Sequence, residues 1–231
     1  MSGSAENING VKIRVFSYRI QRMIIGIIAI VLPFAVVAAN LIANSGWGPL
    51  TSISIYYHTD GRDIFVGSLF IVGSFLISYK GWYDERVAGK FWLGNQSLLS
   101  TIAGVSAFCV ALFPTECRHI CRCKEVACYI SFVHGVASFV LFGILFVFSI
   151  YIFQYDEGCT TVARKRRNIM YKISSIGFVI AAILVIAHFL LKEQWSSFLF
   201  AAEATALLSF GWAWLVSAKY LPWLRDADSD L

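Results

Sequence analysis

Six stretches of this 231-residue chain are apolar and almost free of charge: Met23 to Leu41, Ile64 to Tyr79, Leu93 to Phe113, Tyr129 to Phe153, Ile173 to Leu191 and Trp195 to Ser217. Each is close to the roughly 20 residues that a helix needs to cross the hydrocarbon of a bilayer at about 1.5 Å per residue. Only the sixth run carries a carboxylate, Glu203. Composition agrees, because 14% of the residues are charged and 58% are hydrophobic, whereas a soluble domain has about a quarter of its residues charged. The expectation is an all-α polytopic membrane protein, a six-transmembrane-helix bundle forming a single membrane domain over residues 1–231. The second run is short, and Tyr79, Lys80 and Trp82 would complete it at the interface. The first run is longer than the roughly 7 to 15 residues of a signal-peptide core, so it is expected to be a retained span.

Charge between the runs sets the topology. With the amino terminus in the cytoplasm, the inner segments collect Lys12, Arg14, Arg19, Arg22, Lys80, Arg86, Lys90, Arg164 to Arg167, Lys172, Lys219 and Arg225. The outer segments hold only Arg62, Arg118, Arg122, Lys124 and Lys192. Loop Lys and Arg bias orients multi-pass proteins, so residues 1–22 and 218–231 are expected in the cytoplasm. The net charge of +5 describes this bias, together with contact between the ARKRRN stretch at 163–168 and anionic lipid. It does not point to nucleic acid, since a basic cluster between two spans is a topology anchor.

This topology gathers the histidines. His58 and His119 fall in outer loops, His134 near the outer end of the fourth run and His188 near the outer end of the fifth. Glu203 lies roughly 12 Å below the outer boundary at about 1.5 Å per residue. A charged group facing lipid costs about 2.5 to 3.5 kcal/mol even on the lenient insertion scale, so Glu203 should face the bundle. The reading is a polar outer-leaflet cleft with Glu203 and His134 as the central acid/base or ligand pair. His188, His58 and Asp63 would complete it, and Arg62 and Asp60 would contact substrate at the mouth. Carboxylates and imidazoles in a poorly hydrated cleft suit proton transfer or metal binding. Zinc held by His58, His134 and His188 with an open position would activate water, although no HExxH-type spacing supports it. The competing account is a hydrogen-bonded network that fixes helix register.

Two smaller features complete the sequence. Cys117, Cys121, Cys123 and Cys128 share the second outer loop, TECRHICRCKEVAC; disulfides or free thiols are favoured there, with a zinc knuckle including His119 as the alternative. Small residues at one-turn spacing, Ala103 with Ala107 and Gly135 with Ser138, would let helices approach closely.

Two stretches carry a resemblance: VALFPTE at 110–116 and FVHGVASF at 132–139. A helix ending in Phe-Pro-Thr and an acid, followed by His-Gly at the next helix, resembles a family of uncharacterised six-helix bacterial membrane proteins. In order and placement the chain is also similar to the damage-regulated autophagy modulator family and its relatives in GPI-anchor lipid remodelling. The matching positions here are Asp60-Gly61, His134, His188 and Ala201-Ala202-Glu203. Those families tend to carry Ile-Ser-Asp before the glycine, where this chain has His58-Thr59-Asp60. The resemblance implies a lipid-associated protein of a bacterial inner membrane with a polar outer-leaflet site. Ser54-x-x-x-His58 is similar to an element of the alkaline ceramidase-like membrane hydrolases, which add a seventh span and a late His-x-x-x-His that this chain lacks. The expected activity is therefore engagement or modification of a membrane lipid, with a metal-assisted hydrolase as its catalytic form. A non-catalytic sensor or assembly factor is the alternative, and a proton-coupled transporter ranks lowest because the inner halves offer few ionisable groups.

Overall fold

A computed structural model describes residues 5–8, 11–14, 18–43, 49–80, 95–115, 126–154, 161–191 and 197–225. A two-stranded antiparallel hairpin, β1 (Ala5–Ile8) and β2 (Val11–Arg14), precedes the helices. Among the described residues six helices follow: α1 (Tyr18–Ile42), α2 (Arg62–Ser78), α3 (Gln96–Leu112), α4 (Val126–Val147), α5 (Val162–Leu191) and α6 (Phe198–Ser217). A π turn, Phe148–Ile152, continues α4, and short 3-10 segments occupy Ser54–His58 and Pro222–Leu224. Among the described residues the apolar runs are thus mainly helical, with one small hairpin outside them. Among the described residues, four helical segments, Tyr18–Ile42, Tyr129–Ile152, Val162–Leu191 and Phe198–Ser217, are long and apolar enough to cross a membrane. Helices α2 and α3 have 17 residues each.

Helices α1, α2, α4 and α5 begin earlier than the apolar runs that define them. Helix α5 starts at Val162, so Arg164 to Arg167 lie in its first turns. Helix α2 starts at Arg62, which puts Asp63 in its first turn, where a carboxylate meets the positive end of the helix dipole.

Spatial neighbours run in the order α5, α6, α1, α2, α3, α4, and α4 and α6 scarcely touch. The tightest crossings are made by glycine. A Cβ at Gly211 would come within 2.7 Å of the Gly26 carbonyl oxygen, and one at Gly104 within 2.6 Å of that of Gly73, so α1 meets α6 and α2 meets α3 backbone to backbone. Ala103 and Ala107 are fully buried, as their spacing predicted. Gly135 is different: it is exposed with open space beside it, and it seats no neighbouring helix.

Aromatic rings fill one end of the bundle. Trp214, fully buried, has ring centroids of Tyr79, Phe210, Phe153 and Phe148 at 5.3, 5.6, 5.6 and 6.0 Å. The outward faces are apolar instead, with Phe139 of α4 82% exposed and Ile183 of α5 57% exposed. Such a surface is unsuited to water and suited to lipid tails.

Candidate functional site

Glu203 sits in the second turn of α6, and its carboxylate is directed at the loop before α2. It accepts the backbone N–H of Ile53, and from Ser54 both the backbone N–H at 3.4 Å and the hydroxyl at 3.3 Å. These donors open the 3-10 segment Ser54–His58, which has no side-chain cap of its own at Ile53. A helix start leaves N–H groups without partners, and Glu203 supplies the acceptor from another element. One turn earlier, the Phe200 N–H donates to the Thr51 carbonyl at 2.9 Å. The loop is therefore fastened to α6 at two points.

Its remaining side chains finish the attachment. Tyr56 is fully buried, and its hydroxyl accepts the Leu50 N–H at 3.1 Å. Burial pushes that hydroxyl above its ordinary pKa, against the opposing influence of the Leu50 amide. Thr59 closes the turn, donating from Oγ1 to the Tyr56 carbonyl at 3.0 Å and accepting from the Gly61 N–H at 3.1 Å. At Gly61 a Cβ would meet the Val36 carbonyl oxygen of α1 at 3.2 Å, so glycine lets the loop lie against that helix.

Two histidines, His58 of this loop and His134 of α4, both reach the chain at the end of α3. His134 of α4, 4% exposed, places Nδ1 2.6 Å from the Phe113 carbonyl oxygen and also reaches that of Val110. His58 places Nε2 2.9 Å from the Thr115 carbonyl oxygen. A carbonyl oxygen only accepts, so these ring nitrogens carry the protons. The reason lies in Pro114. Within α3, Val110 would accept from the N–H of residue 114, and proline has none. The end of α3 is left with orphan carbonyls, and His134 serves them. Phe-Pro-Thr followed by His-Gly is thus a helix stop and the side chain that satisfies it.

We expect His134→Leu to cost roughly 1 to 3 kcal/mol, the penalty for buried carbonyls left unpaired. Pro114→Ala, which restores a donor for Val110, should recover part of that loss. Thermal denaturation of the two single variants and the double variant measures the coupling, and strictly additive losses would separate His134 from the proline.

The other expected site residues divide. Arg62 lies over the Tyr57 ring at 4.7 Å and donates to its hydroxyl at 3.2 Å in an exposed position. Asp60 and Asp63 are exposed. His188 is half-buried in the last turn of α5 with its ring 5.6 Å from that of Phe189. Glu203 and His134 are not bonded to one another; each holds backbone groups instead. Among the described residues, no three His, Cys, Asp or Glu side chains come together in a way that could hold a metal ion. Cys117, Cys121 and Cys123, with His119, lie outside the described residues, as does the side chain of Cys128.

Beneath Glu203 the helices enclose a cavity of about 50 Å³. Its wall includes Leu32 of α1, Leu69 of α2, Ser138 and Leu141 of α4, and Leu207 of α6 beside Glu203. Sequence reading missed this space, since nothing in the apolar runs marks a gap between two helices that both line a cavity yet barely meet.

The chain belongs to the family described as "Protein of unknown function (DUF998)", whose model matches residues 27–219, from within α1 to just past the end of α6. No curated protein and no solved structure matches it.

Proposed function

We propose that this member of the family is a six-span bundle with both termini in the cytoplasm, and that it binds a membrane lipid in the outer leaflet between α4 and α6. The observation that carries the reading is the cavity, whose apolar walls come from α1, α2, α4 and α6, the last two of which scarcely touch each other. At the opposite end they are drawn together by rings, Phe148 and Phe153 of the α4 extension lying against Trp214. The gap between them therefore lies toward Glu203, where it would open sideways to lipid. A cavity of this size admits only a few atoms, so most of the lipid would lie in the gap itself. Glu203 at its polar rim suits a headgroup that donates hydrogen bonds, a hydroxyl or an ammonium. The orientation is supported by Arg19, Arg22 and Arg164 to Arg167, which all lie at the end away from Glu203.

Binding is favoured over hydrolysis because the two groups expected to act as an acid/base pair are held apart: Glu203 accepts from residues 53 and 54, and His134 serves the end of α3. Native mass spectrometry of protein extracted in a mild detergent tests the reading. Wild type should retain lipid, and Ser138→Phe, which fills the gap from α4, should lower occupancy about tenfold, equivalent to about 1.4 kcal/mol, with an unchanged melting temperature. Equal lipid retention by the two proteins would overturn it.

A further inference from the structure

Glu203 is the only ionisable side chain among the described residues that wall the cavity beneath it. The other polar members of the wall are three serines: Ser54 of the loop, Ser68 of α2 and Ser138 of α4. Ser54 already donates to Glu203. Ser68 and Ser138 are half-buried, and neither makes a hydrogen bond among the described residues. Serines in other parts of the bundle do find partners, Ser149 donating to the Leu145 carbonyl at 3.2 Å and Ser175 to the Tyr171 carbonyl at 2.9 Å. Two unused hydroxyls, brought by two helices, therefore line a small space beside a carboxylate.

Three properties of that space select a ligand chemistry. The first is charge. A phosphate brought there would meet a carboxylate and no cation on the wall, in surroundings where an unpaired charge is costly. The second is depth. Glu203 is the sixth residue of α6 and Ser68 the seventh of α2, so both lie about 8 to 9 Å inside their helices at roughly 1.5 Å per residue. In a spanning bundle that is below the level of lipid phosphates, and a headgroup without phosphate can sink to it. The third is hydrogen-bond capacity. A hydroxyl offers one proton and two lone pairs, so its proton suits Glu203 and its lone pairs suit the two serines. An ammonium fits less well, because Glu203 already accepts from two amides and a hydroxyl and its charge is largely taken up.

We propose that the lipid held between α4 and α6 is a neutral one with a free hydroxyl, such as a diacylglycerol, and that Ser68, Ser138 and Glu203 bind that hydroxyl. The assignment rests on the lipid reading above and names the headgroup class of the same site. A space of about 50 Å³ takes the hydroxyl end and leaves the chains in the gap.

The test is native mass spectrometry of the full chain in a neutral detergent, with lipids that share two oleoyl chains and differ at the remaining glycerol position. They are dioleoylglycerol, dioleoyl phosphatidic acid and dioleoyl-dimethylammonium-propane, with triolein as the neutral lipid that lacks a donor. Dioleoylglycerol should be retained best, about tenfold above phosphatidic acid. Ser68→Ala/Ser138→Ala should lower its retention about tenfold, with triolein retention and melting temperature unchanged. Each single variant should lower it about threefold, which keeps the test readable if the double variant does not fold. Preference for phosphatidic acid or for the ammonium lipid, equal retention of dioleoylglycerol and triolein, or full retention of dioleoylglycerol by the folded serine variants would overturn the hydroxyl assignment and leave lipid binding in the gap standing. A wild type that retains none of the lipids would overturn both.

Discussion

Glu203→Ala is expected to destabilise the folded chain by about 3 kcal/mol, because it leaves the Ile53 and Ser54 N–H groups without an acceptor at a site shielded from water. Glu203→Gln should lose about half of that, since the amide oxygen still accepts one N–H while its NH₂ faces donors it cannot serve. The damage should be local first. The loop from residue 49 to 61 is held to α6 by Glu203 and by the Phe200 to Thr51 bond, so losing the carboxylate removes the stronger of its two fastenings. Thermal melting in detergent measures the global loss. Protease cleavage within residues 49–61, slow in wild type and fast in Glu203→Ala, measures the local one. A carboxylate that served only a ligand would give the opposite outcome, a variant as stable and as resistant as wild type. That result would return Glu203 to the role of a catalytic or ligand group with no structural duty.

The sequence made the helices legible because a bilayer imposes a length and an absence of charge that no other environment demands. The same logic located Glu203 facing inward and His58 and His134 at one end. It could not identify their partners, which are backbone groups: the Ile53 and Ser54 amides and the Phe113 and Thr115 carbonyls. Residue types announce side chains, whereas orphaned backbone groups arise from local geometry. One signal was present all the same. Pro114 removes the donor that Val110 would have used, and a nearby histidine is a ready substitute. The arginines of α5 read as a topology anchor from sequence, and only the fold shows one of them, Arg167, buried and donating to the Leu224 carbonyl. His188 and Asp63 shared an end with the cleft but sit at helix termini, where a charge is also explained by the dipole.

Gly211→Val should be severely damaging to the bundle core, with a loss of about 3 kcal/mol or more, at or beyond the upper end of the roughly 1 to 3 kcal/mol usual for overpacking. At Gly211 a Cβ would stand 2.7 Å from the Gly26 carbonyl oxygen, 2.7 Å from Ile30 Cγ1 and 3.2 Å from Ala29 Cβ. The reciprocal Cβ at Gly26 would stand 2.8 Å from the Gly211 carbonyl oxygen. A side chain in the way can rotate, but a carbonyl inside a helix cannot, so α1 and α6 would have to part. Their separation would loosen both ends at once: Arg22 reaches from α1 to Ser217 of α6, and the loop that follows α1 is fastened to α6 at Glu203. In a membrane this loss is not offset by hydrophobic drive, because lipid tails are as apolar as the core and association depends on close packing. Gly135→Ala and Gly143→Ala are the controls, since a Cβ at either meets nothing within 4 Å. Replacing glycine by alanine in a helix interior gains up to about 1 kcal/mol, so these variants should melt at or above the wild-type temperature. Monodisperse Gly211→Val protein with a melting temperature equal to that of Gly135→Ala would mean that α1 and α6 do not cross at this pair, and the order of helices drawn from that crossing would have to be redrawn.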